Sequence, residues 1–90
     1  MSDDATLLHR YATERAEDAF AEIVRRNLPF VYSAALRRLG GDSHRAQDVA
    51  QVVFCSLARD AQRISRNPIL AGWFYTATRN AAIDVARIAL

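Results

Sequence analysis

Residues 42–64 read DSHRAQDVAQVVFCSLARDAQRI, and the spacing of their apolar positions decides the fold. Stepped at about 100° per residue, Ala46, Ala50, Val53, Phe54, Leu57, Ala61 and Ile64 fall on one broad face. Asp48, Gln51, Val52, Cys55, Arg59 and Gln62 fall on the other. A helical period sustained over this length marks a half-buried helix, because a strand would alternate every second residue. Asp42 or Ser43 supplies the N-cap, a short oxygen-bearing side chain that accepts from the first free N–H groups. The preceding helix stops at Gly40-Gly41, since glycine enters left-handed backbone without a Cβ clash.

Toward the C-terminus, a polar loop over residues 63–67 ends in Asn67-Pro68, the cap-then-proline form of a helix start. The helix that follows is predicted to send Leu70, Phe74, Ala77, Ala81, Val85 and Ile88 inward. Tyr75, Thr76, Arg79, Asn80, Ile83 and Arg87 stay outside, with Trp73 on the border. Toward the N-terminus, Ser2 or Asp3 caps a short helix through about Thr13 that carries Leu7, Leu8 and Tyr11 on one side. A second stretch begins near Arg15 and carries Phe20, Ile23 and Val24. Pro29 has no backbone N–H, so a kink or restart is expected before Phe30, Val31, Tyr32, Ala35, Leu36 and Leu39. The expected fold is all-α: one domain over residues 1–90, a compact bundle of about four helices with its second stretch kinked near Pro29.

Composition agrees. Ninety residues leave room for one core, and 17 of the apolar residues are alanine, which favours closely packed helices. Three Gly, two Pro and no alternating Val/Ile/Thr run exclude hairpins and sandwiches. Cys55 is alone and cannot form an internal disulfide, and the N-terminus lacks the pattern of a secretion signal, so a cytoplasmic location is expected. Charge interrupts every apolar stretch short of the roughly 18 residues a membrane span needs, which argues against a membrane partner. His9 and His44 lie far apart, and no phosphate loop, nucleophile elbow or carboxylate pair occurs. Neither a metal, a cofactor nor an enzymatic activity is expected.

The net charge of +2 hides an asymmetry. Residues 1–24 hold two Arg against six acids, whereas residues 25–90 hold ten Arg against four. All twelve basic residues are Arg, which reads either as selection for planar, bidentate contacts to phosphate and bases or as genomic codon bias. On the fourth helix, aromatic, amide and guanidinium groups at helical spacing can stack on bases, bond their edges and neutralise phosphate. Arg63, Ser65, Arg66 and Asn67 of the adjoining loop extend that surface, or are simply solvated. Val52 and Cys55 on the wet face of the third helix are scattered surface residues, are covered by the first helix, or mark a protein-docking face rimmed by Asp48 and Arg59. Trp73 is either buried or offers its indole edge to a ligand.

RAQDVAQVVFCSLAR (residues 45–59) followed by LAGWFYTATRNAAIDVAR (residues 70–87) resembles region 2 of bacterial sigma factors of the extracytoplasmic-function type. DDATLLHRY and EDAFAEIVRRNLPFVYSAALRRLGG, earlier in the chain, resemble the helices that precede those motifs. The resemblance implies that Asp48, Gln51, Val52, Cys55 and Arg59 dock on the clamp helices of the largest subunit of RNA polymerase core enzyme. Asp48, Gln51 and Phe54 match the family pattern. Val52 stands where an acid is usual and Gln47 replaces a frequent glutamate, so docking here relies less on charge. The second motif implies recognition and melting of the minus-ten promoter element by Arg63, Ser65, Arg66, Asn67, Trp73, Tyr75, Thr76, Arg79, Asn80, Ile83 and Arg87. Trp73, Arg79, Asn80 and Asp84 match the pattern, Tyr75 and Thr76 stand where aromatic or basic residues are common, and residues 63–67 correspond to the base-capturing loop.

The implied mechanism needs no hydrolysis. Holding an unstacked base of the non-template strand in a pocket favours the melted state, because stacking and hydrogen bonds on that base offset a few kcal/mol of unstacking. An anti-sigma protein is a candidate further partner. The helix-turn-helix domain that reads the minus-thirty-five element in such factors is absent from this chain, which is expected to be an excised domain or a truncated product. Another class of reading is a small helical interaction module that uses the Val52/Cys55 stripe without DNA. A helical enzyme lacks every catalytic constellation.

Overall fold

In the computed structural model, which describes residues 3–66 and 69–88, Asp3 opens the first helix. Its extended backbone lets the carboxylate accept from the Thr6 amide at 2.8 Å. Helix α1 runs Asp4–Glu14 and closes on Arg15, whose left-handed backbone (φ 53°) returns its N–H to the Tyr11 carbonyl. The second helix, α2 (Glu17–Arg38), therefore begins two residues beyond the predicted Arg15. It has no side-chain cap, but Glu17 and Asp18 face the positive end of its dipole and Arg37 and Arg38 the negative end. Gly40 and Gly41 (φ 65° and 86°) turn the chain, and Asp42 caps α3 (Ser43–Arg59) by accepting from the Arg45 amide at 3.1 Å.

Four sequence expectations need correction. Pro29 lies inside α2 and does not restart it. Leu28, Pro29 and Phe30 are all exposed, so the hydrogen bond that proline cannot donate is lost on the solvent side, where water can serve the orphaned carbonyl. The third helix does not continue to Ile64: Asp60 (φ −104°, ψ 21°) interrupts it, and a single turn, α4 (Ala61–Ile64), follows. Arg63 consequently belongs to α4 and not to a loop, and Ser65 and Arg66 form the turn beyond it. The last helix, α5 (Leu70–Ile88), makes five in all among the described residues, with no strand. Ile88, expected inside, is 84% exposed because α5 outruns its packing partners there. Ser2, Asn67 and Pro68, named as caps or site residues, lie outside the described residues.

The core forms where α2, α3 and α5 meet, with α1 laid across α2 and α4. All seven predicted inward residues of the central stretch are buried. Val49 joins them because α3 is flanked by both α2 and α5, so its buried arc is wider than one stripe. On α5, Leu70, Phe74 and Ala81 are buried, Ala77 and Val85 partly so, and Thr78 and Ala82 are buried between neighbours. The Thr78 hydroxyl finds no hydrogen-bond partner among the described residues. Phe74 meets Phe54 (ring centroids 5.6 Å) and Trp73 (5.4 Å, edge-on). Ala19, Ala35, Ala46 and Ala61 are buried at helix seams, where a methyl group allows close approach.

Polar contacts fasten α1. Asn27 on α2 donates to Asp4 at 3.0 Å and to the Ile23 carbonyl at 2.8 Å, while Arg26 pairs with Asp4 (3.4 Å) and Glu22 (2.8 Å). Arg10 reaches Asp18 at 3.3 Å. Much of the acidic N-terminal segment is thus neutralised internally.

Candidate functional site

Helix α3 turns Asp48, Gln51, Val52, Cys55 and Arg59 to solvent together, since positions three and four apart share a helix face. They line a shallow depression of about 510 Å3. Val52 is 50% exposed at its centre, an apolar side chain that neither α1 nor any other helix covers. Beside it lies a groove that the sequence reading missed. Leu28, Pro29 and Tyr32 of α2 face Gln47, Ala50, Gln51 and Phe54 of α3 across about 540 Å3 of mostly apolar space. Gln51 borders both hollows, so the exposed face of α3 continues onto α2. The signal was present as i, i+4 pairs, Leu28 with Tyr32 and Gln47 with Gln51, but pairing them requires knowing that α2 and α3 are neighbours.

Helix α5 carries the second set. Tyr75, Arg79, Ile83 and Arg87 succeed one another every four residues, with Thr76 and Asn80 alongside, and all six are exposed. Tyr75 is 55% exposed, which leaves a ring face free for stacking. Arg79 donates to the Asn80 side-chain oxygen at 3.4 Å, a bond that does not use the Asn80 NH2. Trp73 is half-buried: its ring edge contacts Phe74, and part of the indole stays at the surface.

Residues 63–66 gather elsewhere. Arg59 and Arg63 both bind the Asp60 carboxylate, at 3.1 and 3.4 Å. Those hydrogen bonds, Arg59's foremost, hold Asp60 below the ordinary carboxylate range. Ser65 donates its hydroxyl to the Gln62 carbonyl at 2.9 Å and so closes the turn. The cleft containing Arg63 and Arg66 draws its other walls from Arg15, Arg59, Asp60 and Gln62, with no α5 residue in its lining. Among the described residues, Arg15, Arg66, Arg79 and Arg87 have no carboxylate within ion-pair distance. No cluster of three or more His, Cys, Asp or Glu among the described residues could hold a metal, and no helix is long and apolar enough to cross a membrane.

The arrangement offers an exposed stripe on α3, with Val52 at its centre and Asp48 and Arg59 at its ends, and an aromatic, amide and guanidinium ladder on α5. Comparison with known families matches residues 23–88 to the family described as Sigma-70 region 2, a span from within α2 to the end of α5. Neither the curated proteins nor the solved structures give a match.

Proposed function

The chain belongs to the sigma-70 region 2 family, and on that premise we propose that it docks on RNA polymerase core enzyme and recognises and melts the minus-ten promoter element. The family is one of transcription factors that act without catalysis of their own. In our reading the chain is a single such domain of the extracytoplasmic-function type, working in the cytoplasm. Asp48, Gln51, Val52, Cys55 and Arg59 meet the clamp helices of the largest polymerase subunit. An anti-sigma protein would compete for that face. Tyr75, Thr76, Arg79, Asn80, Ile83 and Arg87, with Trp73 at their edge and residues 63–67 beside them in sequence, take up the non-template strand.

The observation that carries this reading is the exposed ladder of α5. Its guanidinium groups at Arg79 and Arg87 have no carboxylate partner among the described residues, so their charge is available to phosphate. Tyr75 can stack on a base only where the duplex is open, and the exposed Asn80 amide can bond the edge of such a base. Melting then follows from binding: groups that bond splayed bases add stability to the open strand and none to the paired one. The test has two arms, retention of RNA polymerase core enzyme on the immobilised chain and titration of labelled minus-ten strands. Binding of both, with single strand preferred over duplex, is expected. The uncovered Val52 also suits a helical interaction module without DNA, and core-enzyme retention without strand binding would favour that alternative.

A further inference from the structure

Four arginines surround one carboxylate where α1 ends against α4. Arg15, Arg59, Arg63 and Arg66 line a cleft of about 500 Å3 around Asp60, which leaves three positive charges in excess. Arg15 is the C-cap of the first helix, before the matched span of residues 23–88. Its position is fixed twice over: the left-handed backbone at φ 53° returns its N–H to Tyr11, and its guanidinium lies 4.6 Å over the Tyr11 ring. Asp60 holds two of the four guanidinium groups, Arg59 and Arg63, at 3.1 and 3.4 Å. Arg15 and Arg66 have no such partner among the described residues. Guanidinium forks with unused donors, gathered at one concave surface, suit the bidentate oxygens of a phosphodiester.

We propose that this cleft seats the phosphate backbone of a single-stranded nucleic acid, with Arg15 at the end of α1 as a phosphate contact and Asp60 as an internal competitor for the same arginines. The inference rests on the strand-binding reading above, which already includes Arg63 and Arg66, and extends it to Arg15, Arg59 and Asp60. The cleft holds phosphate only, so it contributes affinity and register, and base choice stays with α5. Because Asp60 already occupies Arg59 and Arg63, a bound phosphate must displace or share them, and the cleft is weaker than four free arginines would be. Asp60 makes no side-chain capping bond to α4, so its carboxylate can be neutralised without removing a helix cap.

The test uses the 90-residue chain and fluorescence anisotropy on two labelled probes, a single-stranded minus-ten oligonucleotide and an abasic strand of the same length that offers phosphates without bases. Arg15→Gln should weaken both probes by the same factor, about three- to tenfold. It should flatten the log K against log salt slope by about 0.7, the value for one phosphate contact on a single strand. Arg15→Lys should recover part of the loss. Asp60→Asn should act in the opposite direction, tightening both probes and steepening the slope, so the pair of variants distinguishes phosphate binding from a folding defect. A change below twofold for Arg15→Gln and Asp60→Asn on the abasic strand overturns the cleft, as does tighter binding of labelled oligoglutamate than of that strand. If the abasic probe behaves as expected while the oligonucleotide shows no base preference, the cleft stands and the promoter reading fails.

Discussion

Replacing Phe74 by alanine tests the architecture at its centre. The ring is 1% exposed and touches two other aromatic rings, Phe54 at 5.6 Å and Trp73 at 5.4 Å. Truncation removes the transfer free energy of the ring and leaves a cavity, a loss of about 3–5 kcal/mol. A domain of this size is stable by something on the order of 5–13 kcal/mol, so the variant should retain the fold with a much reduced margin. At roughly 4–8 °C per kcal/mol, its melting temperature should fall by at least about 12 °C. Phe54→Ala should cost less, near the lower end of the same range of about 3–5 kcal/mol, because one side of Phe54 borders the open groove with Leu28 and Tyr32. The double variant should be non-additive by about 0.5–1.5 kcal/mol, the value of an aromatic pair beyond its buried area. Urea unfolding followed by circular dichroism at 222 nm measures all three, with Phe74→Leu as a milder variant should the truncation leave too little folded protein. A loss below about 1 kcal/mol at both positions would show that the faces of α3 and α5 are assigned the wrong way round.

Other outcomes follow from the surfaces. Cys55→Arg should weaken retention of core enzyme by roughly tenfold or more while leaving helix content and melting temperature nearly unchanged, since Cys55 is exposed; unfolding by this change would mean that the stripe is buried. On single strands differing at one base, Asn80→Ala should change base preference, whereas Arg87→Ala should weaken every sequence about equally. Equal losses for Asn80→Ala across all strands would remove base readout from this residue. Acid should act through Glu22, whose carboxyl is held at about 2, against an ordinary 4.5, by hydrogen bonds from Arg25 and then Arg26. The folded value lies below the unfolded one, so this contribution is fully present above pH 4.5 and is lost as the pH falls toward about 2. Glu22→Gln should flatten the dependence of melting temperature on pH in that window, and an unchanged profile would mean that the pairing contributes nothing.

The faces of α3 and α5 were legible in the sequence because burial follows helical period wherever one side of a helix meets one neighbour. Val49, Thr78 and Ala82 escaped that reading because their helices are packed from two directions, which periodicity alone does not encode. The break at Asp60 was invisible for the opposite reason: Leu57, Ala61 and Ile64 keep the period across it, and α4 resumes close to the register of α3. Pro29 misled because its cost depends on where the missing bond points, and here it points to water. Of the candidate site, the exposed ladders were readable one helix at a time. The groove between Leu28 and Gln51 and the cleft joining Arg15 to Arg66 were not, since each is made by helices brought together only on folding.

The turn between α2 and α3 sets a condition of handedness. Gly40 and Gly41 hold φ at 65° and 86°, and a Cβ built on either would meet nothing within 4 Å. Space is therefore not what reserves these positions for glycine; the sign of the dihedral is. An L-alanine would fit the volume and strain the backbone, whereas its mirror image would occupy the same φ at ease and restrict the unfolded chain. The orientation of α3 relative to the long helix before it thus depends on two adjacent achiral residues.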